Sequence, residues 1–271
     1  MSTLEFRNVV KDYRVRGGRG EKGHLRAVND VSFTLEAGKT VALVGESGSG
    51  KSTIAKMLLQ LERPTSGSIV LDGAVAPRHG EALRRYRSDV QMVFQDPFAS
   101  LNPFHSIGHH LARPLLLHGK ATRSTVDEKV RELLGRVQLG PAADVAARRP
   151  HELSGGQRQR VAIARALAPE PRILIADEPV SMLDVSIRLG VLNLLAELQR
   201  QEDLGVLYIT HDLATARHFS DEILVMYKGQ VVERGTPDDV ILDPQHPYTR
   251  QLAEAAPDPE KRIAERRAAR A

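Results

Sequence analysis

Nine residues, Gly45-Glu46-Ser47-Gly48-Ser49-Gly50-Lys51-Ser52-Thr53, stand directly after Thr40-Val41-Ala42-Leu43-Val44 and leave the chain few ways to fold there. The apolar run has the form of a strand buried on both faces, and Ile54, Met57, Leu58 and Leu61 follow at helical spacing. Strand, Gly-rich loop and helix in that order form the context that G-x-x-x-x-G-K-[ST] requires, and Gly45, Gly50, Lys51 and Ser52 match it. Glycines let backbone N–H groups curl around phosphate oxygens, while the helix N-terminus adds the positive end of its dipole. Lys51 then puts a point charge on the β- and γ-phosphates, and the Ser52 hydroxyl is a magnesium ligand. The bland alternative is a flexible turn with no ligand, which leaves the placement between strand and helix unexplained.

A nucleotide triphosphatase needs a second, acidic station. Ile173-Leu174-Ile175-Ala176-Asp177-Glu178 supplies two carboxylates at the end of an apolar strand. Alone they read equally well as an ordinary acidic turn. Paired with the phosphate cradle, Asp177 reaches magnesium directly or through water, and Glu178 points where an attacking water lies.

The remaining pattern is that of an α/β layer structure with a largely parallel central sheet. Strands are expected around Leu4–Val10 and Val31–Leu35, joined by a Gly- and charge-rich hairpin loop at Gly17–Gly23. Val90–Phe94, ending at Gln95, is a further strand, as are Ile173–Ala176, Val206–Ile209 and Ile223–Met226, with a helix through Val191, Leu194, Leu195 and Leu198. Between about 96 and 153 the character changes to helical: Val126, Val130, Leu133, Leu134 and Val137 recur at helical spacing after an expected cap at Thr125 with Glu128 three residues on. Beyond 236 the chain becomes Pro- and Asp-rich and closes on a basic, Ala-rich stretch, read as a solvated tail.

Composition narrows the classes. The 271 residues suffice for a sizeable core without staples, and the absence of cysteine excludes a disulfide framework, a thiolate metal site and a catalytic thiol. A net charge of +4 with pI near 9.4 does not by itself call for nucleic acid. No stretch approaches the roughly 18 apolar residues of a membrane span, and Met1–Phe6 lacks the regions of a signal peptide, so a soluble, cytoplasmic chain is expected, any membrane association coming through a protein partner.

Leu153-Ser154-Gly155-Gly156-Gln157, running into Arg158-Gln159-Arg160-Val161-Ala162-Ile163-Ala164-Arg165-Ala166-Leu167, resembles the signature of the ATP-binding cassette family. The resemblance implies that Ser154, Gly155, Gly156 and Gln157 of one subunit contact the γ-phosphate held by the cradle of another, so that ATP is sandwiched between two subunits. Other stations appear in the family's order. Tyr13 matches the aromatic that stacks on adenine, Gln95 the glutamine that senses magnesium and contacts the membrane partner, Ser181-Met182-Leu183-Asp184 the D-loop, and His211 the switch histidine. Met182 stands where alanine is common, read as a tolerated change.

The resemblance therefore implies a P-loop NTPase (RecA-like) core with a mixed to parallel sheet, N-terminal antiparallel strands and an inserted α-helical subdomain. The boundaries expected are 1–250 for the ATP-binding domain, its core at about 1–95 and 154–235, the helical subdomain at about 96–153, and a branch-specific tail at 236–271. ATP and Mg2+ are the ligands implied. Glu178, His211, Lys51 and Gln95 would carry catalysis; Ser52, Gln95 and Asp177 would hold the metal. Tyr13, the loop from Gly45 through Glu46, Ser47, Gly48, Ser49, Gly50, Lys51 and Ser52 to Thr53, Ser154–Gln157 and Asp184 would bind nucleotide.

Val93–Pro103, Asp177–Ser186 and Pro244-Gln245-His246-Pro247-Tyr248-Thr249-Arg250 are similar to markers of the oligopeptide, dipeptide and nickel importer branch. With no cysteine among these residues, the iron–sulfur cluster that many relatives carry on C-terminal cysteines is not expected here. The branch implies an ATPase at the cytoplasmic face of the membrane that energises import, partnered by a second cassette subunit, identical or paralogous, by two permease subunits and, indirectly, by a solute-binding protein, with no nucleic acid. Peptide is the expected cargo, nickel the alternative. A soluble cassette acting on DNA or the ribosome is disfavoured by the single compact copy, and a non-hydrolysing assembly subunit by Glu178 and His211. His105 and His109, with His110 and His118 nearby, invite a metal site, but a solvated helix face is the reading kept.

Overall fold

A computed structural model describes residues 2–16 and 22–255. The chain begins with a long antiparallel hairpin, β1 (Thr3–Arg16) and β2 (Lys22–Glu36), then β3 (Thr40–Val44), α1 (Lys51–Leu58), β4 (Ser66–Leu71), β5 (Ala74–Val75), α2 (Gly80–Asp89) and β6 (Val90–Val93). A run of helices follows: α3 (Pro97–Ser100), α4 (Ile107–Leu117), α5 (Val126–Arg136), α6 (Ala142–Ala147), a 3-10 turn at Pro150–Glu152, and α7 (Gly155–Leu167). The last part alternates: β7 (Ile173–Asp177), α8 (Val185–Glu202), β8 (Gly205–Thr210), α9 (Leu213–Phe219), β9 (Glu222–Tyr227), β10 (Gln230–Gly235), α10 (Pro237–Leu242) and α11 (Pro247–Ala255).

Two sheets result. One is four-stranded and antiparallel in the order β2-β1-β4-β5; the other is six-stranded in the order β10-β9-β3-β8-β7-β6, parallel except for β10. The apolar runs of β3, β7, β8 and β9 are continuous because the six-stranded sheet is covered on both sides. Val41, Leu43, Ile173, Ile175, Leu207, Ile209, Leu224 and Met226 face α1 and the four-stranded sheet. Ala42, Val44, Leu174, Ala176, Val206, Tyr208, Ile223 and Val225 face the core shared with α7 and α8. The two-residue period of a strand divides one run between two cores.

The helices α4, α5 and α6 join that second core through Ile107, Leu111, Leu115, Val130, Leu133, Leu134 and Val145. The fold is thus the expected α/β core with mixed sheet, N-terminal antiparallel strands and an inserted run of helices.

Several local expectations differ. The hairpin strands run well beyond Val10 and start well before Val31, and residues 17–21 of the loop lie outside the described residues, as does the basic stretch 256–271. α1 ends at Leu58, Gln60 takes a left-handed conformation (φ 53°), and Leu61 is exposed rather than on a buried helix face. Thr125 precedes α5 without capping it: its hydroxyl accepts from the Thr122 N–H at 3.0 Å, a turn that competes with the cap, and Glu128 closes no capping box. Residues 236–255 form α10 and α11, with Val240 and Tyr248 buried in the main core.

Candidate nucleotide site

The site lies where the parallel strands end, as expected for an open α/β sheet. β3 delivers the Gly-rich loop, β7 delivers Asp177 and Glu178, and β8 delivers His211, because registers pair Val44 with Thr210 and Asp177 with Ile209. Gln95 arrives two residues after β6, the neighbour of β7. A cleft of about 690 Å³ is lined by Tyr13, Leu25, Ala27, Glu46, Ser47, Gly48, Gly50, Lys51, Ser52, Thr53, Gln95, Asp177, Glu178 and His211. Residues from six separate stretches of the sequence meet there.

The loop pairs the N–H groups of Glu46, Ser49 and Thr53 and leaves others between them to a ligand. Gly50 precedes α1 at φ 112°, carries no capping side chain, and a Cβ there would stand 2.4 Å from the Ala27 carbonyl oxygen, so only glycine fits. No acidic side chain occupies the first turn of α1, which leaves its positive end to an anion. Lys51 is buried, and its ammonium donates to the carbonyl oxygens of Gly45 at 2.6 Å and Glu46 at 2.9 Å. Burial lowers its pKa, against the pull of Glu178, Asp177 and Glu46. Gly45 and Ser49 complete the loop without lining the cleft, the Ser49 side chain being buried.

Glu178 sits at the centre. Its carboxylate accepts from the Gln95 side-chain amide at 2.9 Å on one oxygen, and His211 Nδ1 stands 3.2 Å from the other. Its backbone is in the left-handed region (φ 45°), held by an N–H donated to the Ile209 carbonyl at 2.9 Å. Such a conformation costs a β-carbon-bearing residue of order 1–3 kcal/mol and persists where surroundings impose it. Asp177, next door, is mostly buried; burial first and the Glu178 charge second push its pKa up to about 6, with Lys51 pulling the other way. The strand end therefore presents two carboxylates that repel each other in a poorly solvated place, a natural seat for a cation.

Tyr13 lines the far end of the cleft. Its hydroxyl donates to Glu62 in a short hydrogen bond, and the Lys11 ammonium lies 4.9 Å from its ring centroid, so one ring face is covered while the ring stands at the cleft wall. Glu62 and Lys11 were not singled out in the sequence, since nothing there shows that they meet Tyr13.

The signature residues are placed elsewhere. Ser154 caps α7 by accepting from the Gln157 N–H at 3.3 Å, and Gln157 returns the bond to the Ser154 N–H at 3.0 Å. A Cβ on Gly156 would meet Ile187 at 2.7 Å, so that glycine lets α7 close against α8. Asp184 stands at the N-cap position of α8 without a side-chain cap bond. Neither Ser154–Gln157 nor Asp184 lines the cleft of its own chain. Met182, Val185 and Leu189, beside them, are exposed.

A second, larger hollow of about 880 Å³ runs beside Gln95 between α3, α4 and α7, lined by Met92, Phe94, Ala99, Pro114, Leu117 and others. The half-buried Arg165 guanidinium donates to the Ser100 carbonyl across it, tying α7 to the segment after Gln95. His105 and His109 stack at 4.1 Å between ring centroids, and no group of three or more His, Cys, Asp or Glu among the described residues is placed to hold a metal.

The comparisons agree with this geometry. The ABC transporter family model matches residues 28–181. The di/tripeptide transport ATP-binding protein DppF of Pseudomonas aeruginosa is 49% identical over 94% of this chain and 79% of its own. The oligopeptide transport ATP-binding protein AppF of Bacillus subtilis is 46% identical over 96% of this chain and 79% of its own. The glutathione import ATP-binding protein GsiA of Pectobacterium atrosepticum is 47% identical over 96% of this chain, which spans 42% of that protein. Among solved structures, cbiO1 of Clostridium perfringens, part of the ABC transporter complex cbiONQ, superposes with a TM-score of 0.77 at 27% identity, covering 89% of this chain and 90% of that one. The dimeric cassette MJ0796 bound to ADP and Pi superposes with a TM-score of 0.74 at 31% identity, covering 86% of this chain and 98% of that one. With its phosphate loop, strand-end carboxylates and capped signature helix in place, the chain belongs to the ABC transporter family and is one of its ATP-binding cassettes.

Proposed function

We propose that this chain is the ATP-hydrolysing subunit that drives import of short peptides through a membrane channel. The observation that carries hydrolysis is the Glu178 carboxylate, held from both sides by Gln95 and His211 in the cleft that Lys51 lines. The peptide assignment is supported by the names of the relatives, which are di/tripeptide, oligopeptide and glutathione proteins. Nothing in the site favours the nickel alternative.

In the proposed mechanism Tyr13 stacks on adenine, the N–H groups of Ser47, Gly48, Gly50, Lys51 and Ser52 wrap the phosphates within the loop Gly45–Thr53, and the Lys51 ammonium reaches the β- and γ-phosphates. Ser52, the Gln95 side-chain oxygen and Asp177 fit a magnesium ion, all being hard oxygen donors of the kind it prefers. Bound there, magnesium supplies positive charge against the triphosphate and the repelling carboxylates. Glu178 orients and deprotonates the attacking water, and His211, poised on Glu178, contacts the γ-phosphate. Ser154, Gly155, Gly156 and Gln157, with Asp184, act on the cleft of a second cassette, identical or paralogous, which explains why they lie away from their own. The dimeric MJ0796 structure supports that pairing.

No helix among the described residues is long and apolar enough to cross a membrane. Contact with the two permease subunits at the cytoplasmic face falls to residues 96–153, which we assign as the helical subdomain between core segments 1–95 and 154–235, with the hollow beside Gln95 as the docking surface. Reconstitution with its cognate permease pair and binding protein tests the cargo. Stimulation of ATPase activity by peptide-loaded binding protein is expected; stimulation by the nickel-loaded protein and not by the peptide-loaded one would overturn the peptide reading.

A further inference from the structure

The segment after β10 reaches back to the phosphate loop. The Tyr248 hydroxyl accepts a hydrogen bond of 2.8 Å from the Glu46 N–H, across 202 residues of sequence. Tyr248 is 5% exposed and its ring stacks on Tyr227 at 4.3 Å between centroids. The start of α11 is itself fastened: the Glu233 carboxylate of β10 accepts from the N–H groups of Gln245 at 2.7 Å and His246 at 2.9 Å. The β9–β10 turn grips the same loop from a second point, Gly229 donating its N–H to the Ser49 carbonyl at 3.0 Å.

What Tyr248 holds is one particular peptide plane. The N–H of Glu46 and the carbonyl of Gly45 belong to the same peptide group, and that carbonyl accepts from the Lys51 ammonium at 2.6 Å. A planar peptide cannot turn one end without the other. The hydroxyl from α11 thus fixes the direction in which the Gly45 carbonyl meets Lys51, and with it the entrance of the curl that the glycines allow.

We infer that Tyr248 is a positioning residue of the nucleotide cradle, and that docking of residues 244–255 and binding of ATP are thermodynamically coupled through the Gly45–Glu46 peptide. The inference rests on reading residues 45–53 as the ATP cradle. With the bond in place the loop is ordered before nucleotide arrives; without it, the ordering is charged against binding. Because coupling is reciprocal, ATP strengthens the seating of α11 by the same factor.

Tyr248→Phe keeps the ring on Tyr227 and removes only the acceptor. A net hydrogen bond corresponds to roughly a 2- to 12-fold change in an equilibrium constant. We therefore expect Tyr248→Phe to raise the KM and Kd for Mg-ATP about fivefold while kcat at saturating ATP stays within about twofold. Hydrogen exchange at the Glu46 amide, measured without nucleotide, should speed up in the variant, and saturating ATP should slow exchange in 245–255 of the wild type. Glu233→Gln, which loosens the start of α11 without touching the hydroxyl, should shift KM in the same direction by less. An unchanged KM and Kd in Tyr248→Phe, or a lowered kcat with KM unchanged, overturns the inference. Failure of the wild type to bind Mg-ATP at all overturns instead the cradle reading on which it stands.

Discussion

His211 Nδ1 stands 3.2 Å from Glu178 Oε1, although the two residues come from the ends of different strands, β8 and β7. The pairing is set by sheet register, which puts Asp177 opposite Ile209 and so brings the residues that follow both strands to one edge. Gln95 holds the other carboxylate oxygen. The carboxylate proposed to activate water is thereby aimed from both of its oxygens by Gln95 and His211.

Glu178→Gln is the sharpest test of that role. The amide keeps the side chain's size and its place between Gln95 and His211 but cannot accept the proton. A general base contributes about 10²- to 10⁴-fold, so kcat should fall at least about a hundredfold while ATP binding persists and a closed dimer accumulates on a sizing column. Turnover like the wild type would remove Glu178 from the mechanism.

Asp177 gives a prediction of opposite sign for stability and activity. Its pKa, raised to about 6 by burial and by Glu178, lies above the ordinary carboxylate value, so the folded protein holds this proton more tightly than the unfolded chain does. Stability is therefore lost as pH rises through the window between the ordinary value of 3.8 and about 6. Ionisation at pH 7.5 then costs on the order of 3 kcal/mol. Asp177→Asn should raise Tm in the absence of nucleotide by several degrees at pH 7.5, by less at pH 5, and should abolish magnesium-dependent hydrolysis. A lower Tm for Asp177→Asn at pH 7.5 would contradict the electrostatic account.

Tyr13 separates stacking from hydrogen bonding. Tyr13→Ala removes the ring and should weaken ATP binding roughly tenfold, within the range of about 1–3 kcal/mol for an aromatic–base stack. Tyr13→Phe keeps the ring and loses only the hydroxyl with its bonds to Glu62 and Thr53, so its KM should stay within about threefold of the wild type. Equal effects of the two substitutions, read by equilibrium ATP titration, would show that the ring does not meet the base.

Arg165 tests the link between nucleotide and membrane. Its guanidinium crosses from the signature helix α7 to the Ser100 carbonyl in α3, beside the hollow assigned to the permease. Arg165→Met fills much of the same space without the donor. Nucleotide affinity of the isolated subunit should stay near the wild-type value, while stimulation of ATPase activity by peptide-loaded binding protein in the assembled transporter should drop severalfold. Full stimulation in Arg165→Met would show that this bond carries no coupling.

Much of the architecture was legible because the central strands β3, β7, β8 and β9 are buried on both faces and so carry unbroken apolar runs that no surface element imitates. The apolar pattern of β6 runs one residue past its end at Val93, because Phe94 continues it but is exposed beside the hollow. α2 escaped notice because Tyr86 is its one buried residue, anchored by a hydroxyl that donates to the Leu58 carbonyl at 2.6 Å, and one anchor makes no period. Apolar spacing alone carries α1 to Leu61, whereas Gln60 turns the chain away.

The site divides in the same manner. Residues of the cleft that sit inside contiguous motifs, from Gly45 to Thr53 and at Asp177 and Glu178, were readable because strand–loop–helix geometry fixes them locally. Contacts made across the fold were not: Glu62 on Tyr13, Arg165 on Ser100 and Tyr248 on Glu46 depend on long-range placement that no spacing encodes. Tyr248 did leave a trace, since it lies in the His246-Pro247-Tyr248-Thr249 marker, but nothing in that marker points to the phosphate loop.

The most direct measurement of the central claim is uptake of a labelled dipeptide into vesicles that hold the assembled transporter, with peptide-loaded binding protein on the side opposite this subunit and ATP hydrolysis followed in the same sample. The account predicts that wild-type protein drives ATP-dependent accumulation and that Glu178→Gln supports neither uptake nor turnover while still holding ATP. Accumulation that continues in Glu178→Gln, or hydrolysis by the wild type that proceeds with no peptide movement at all, would contradict it.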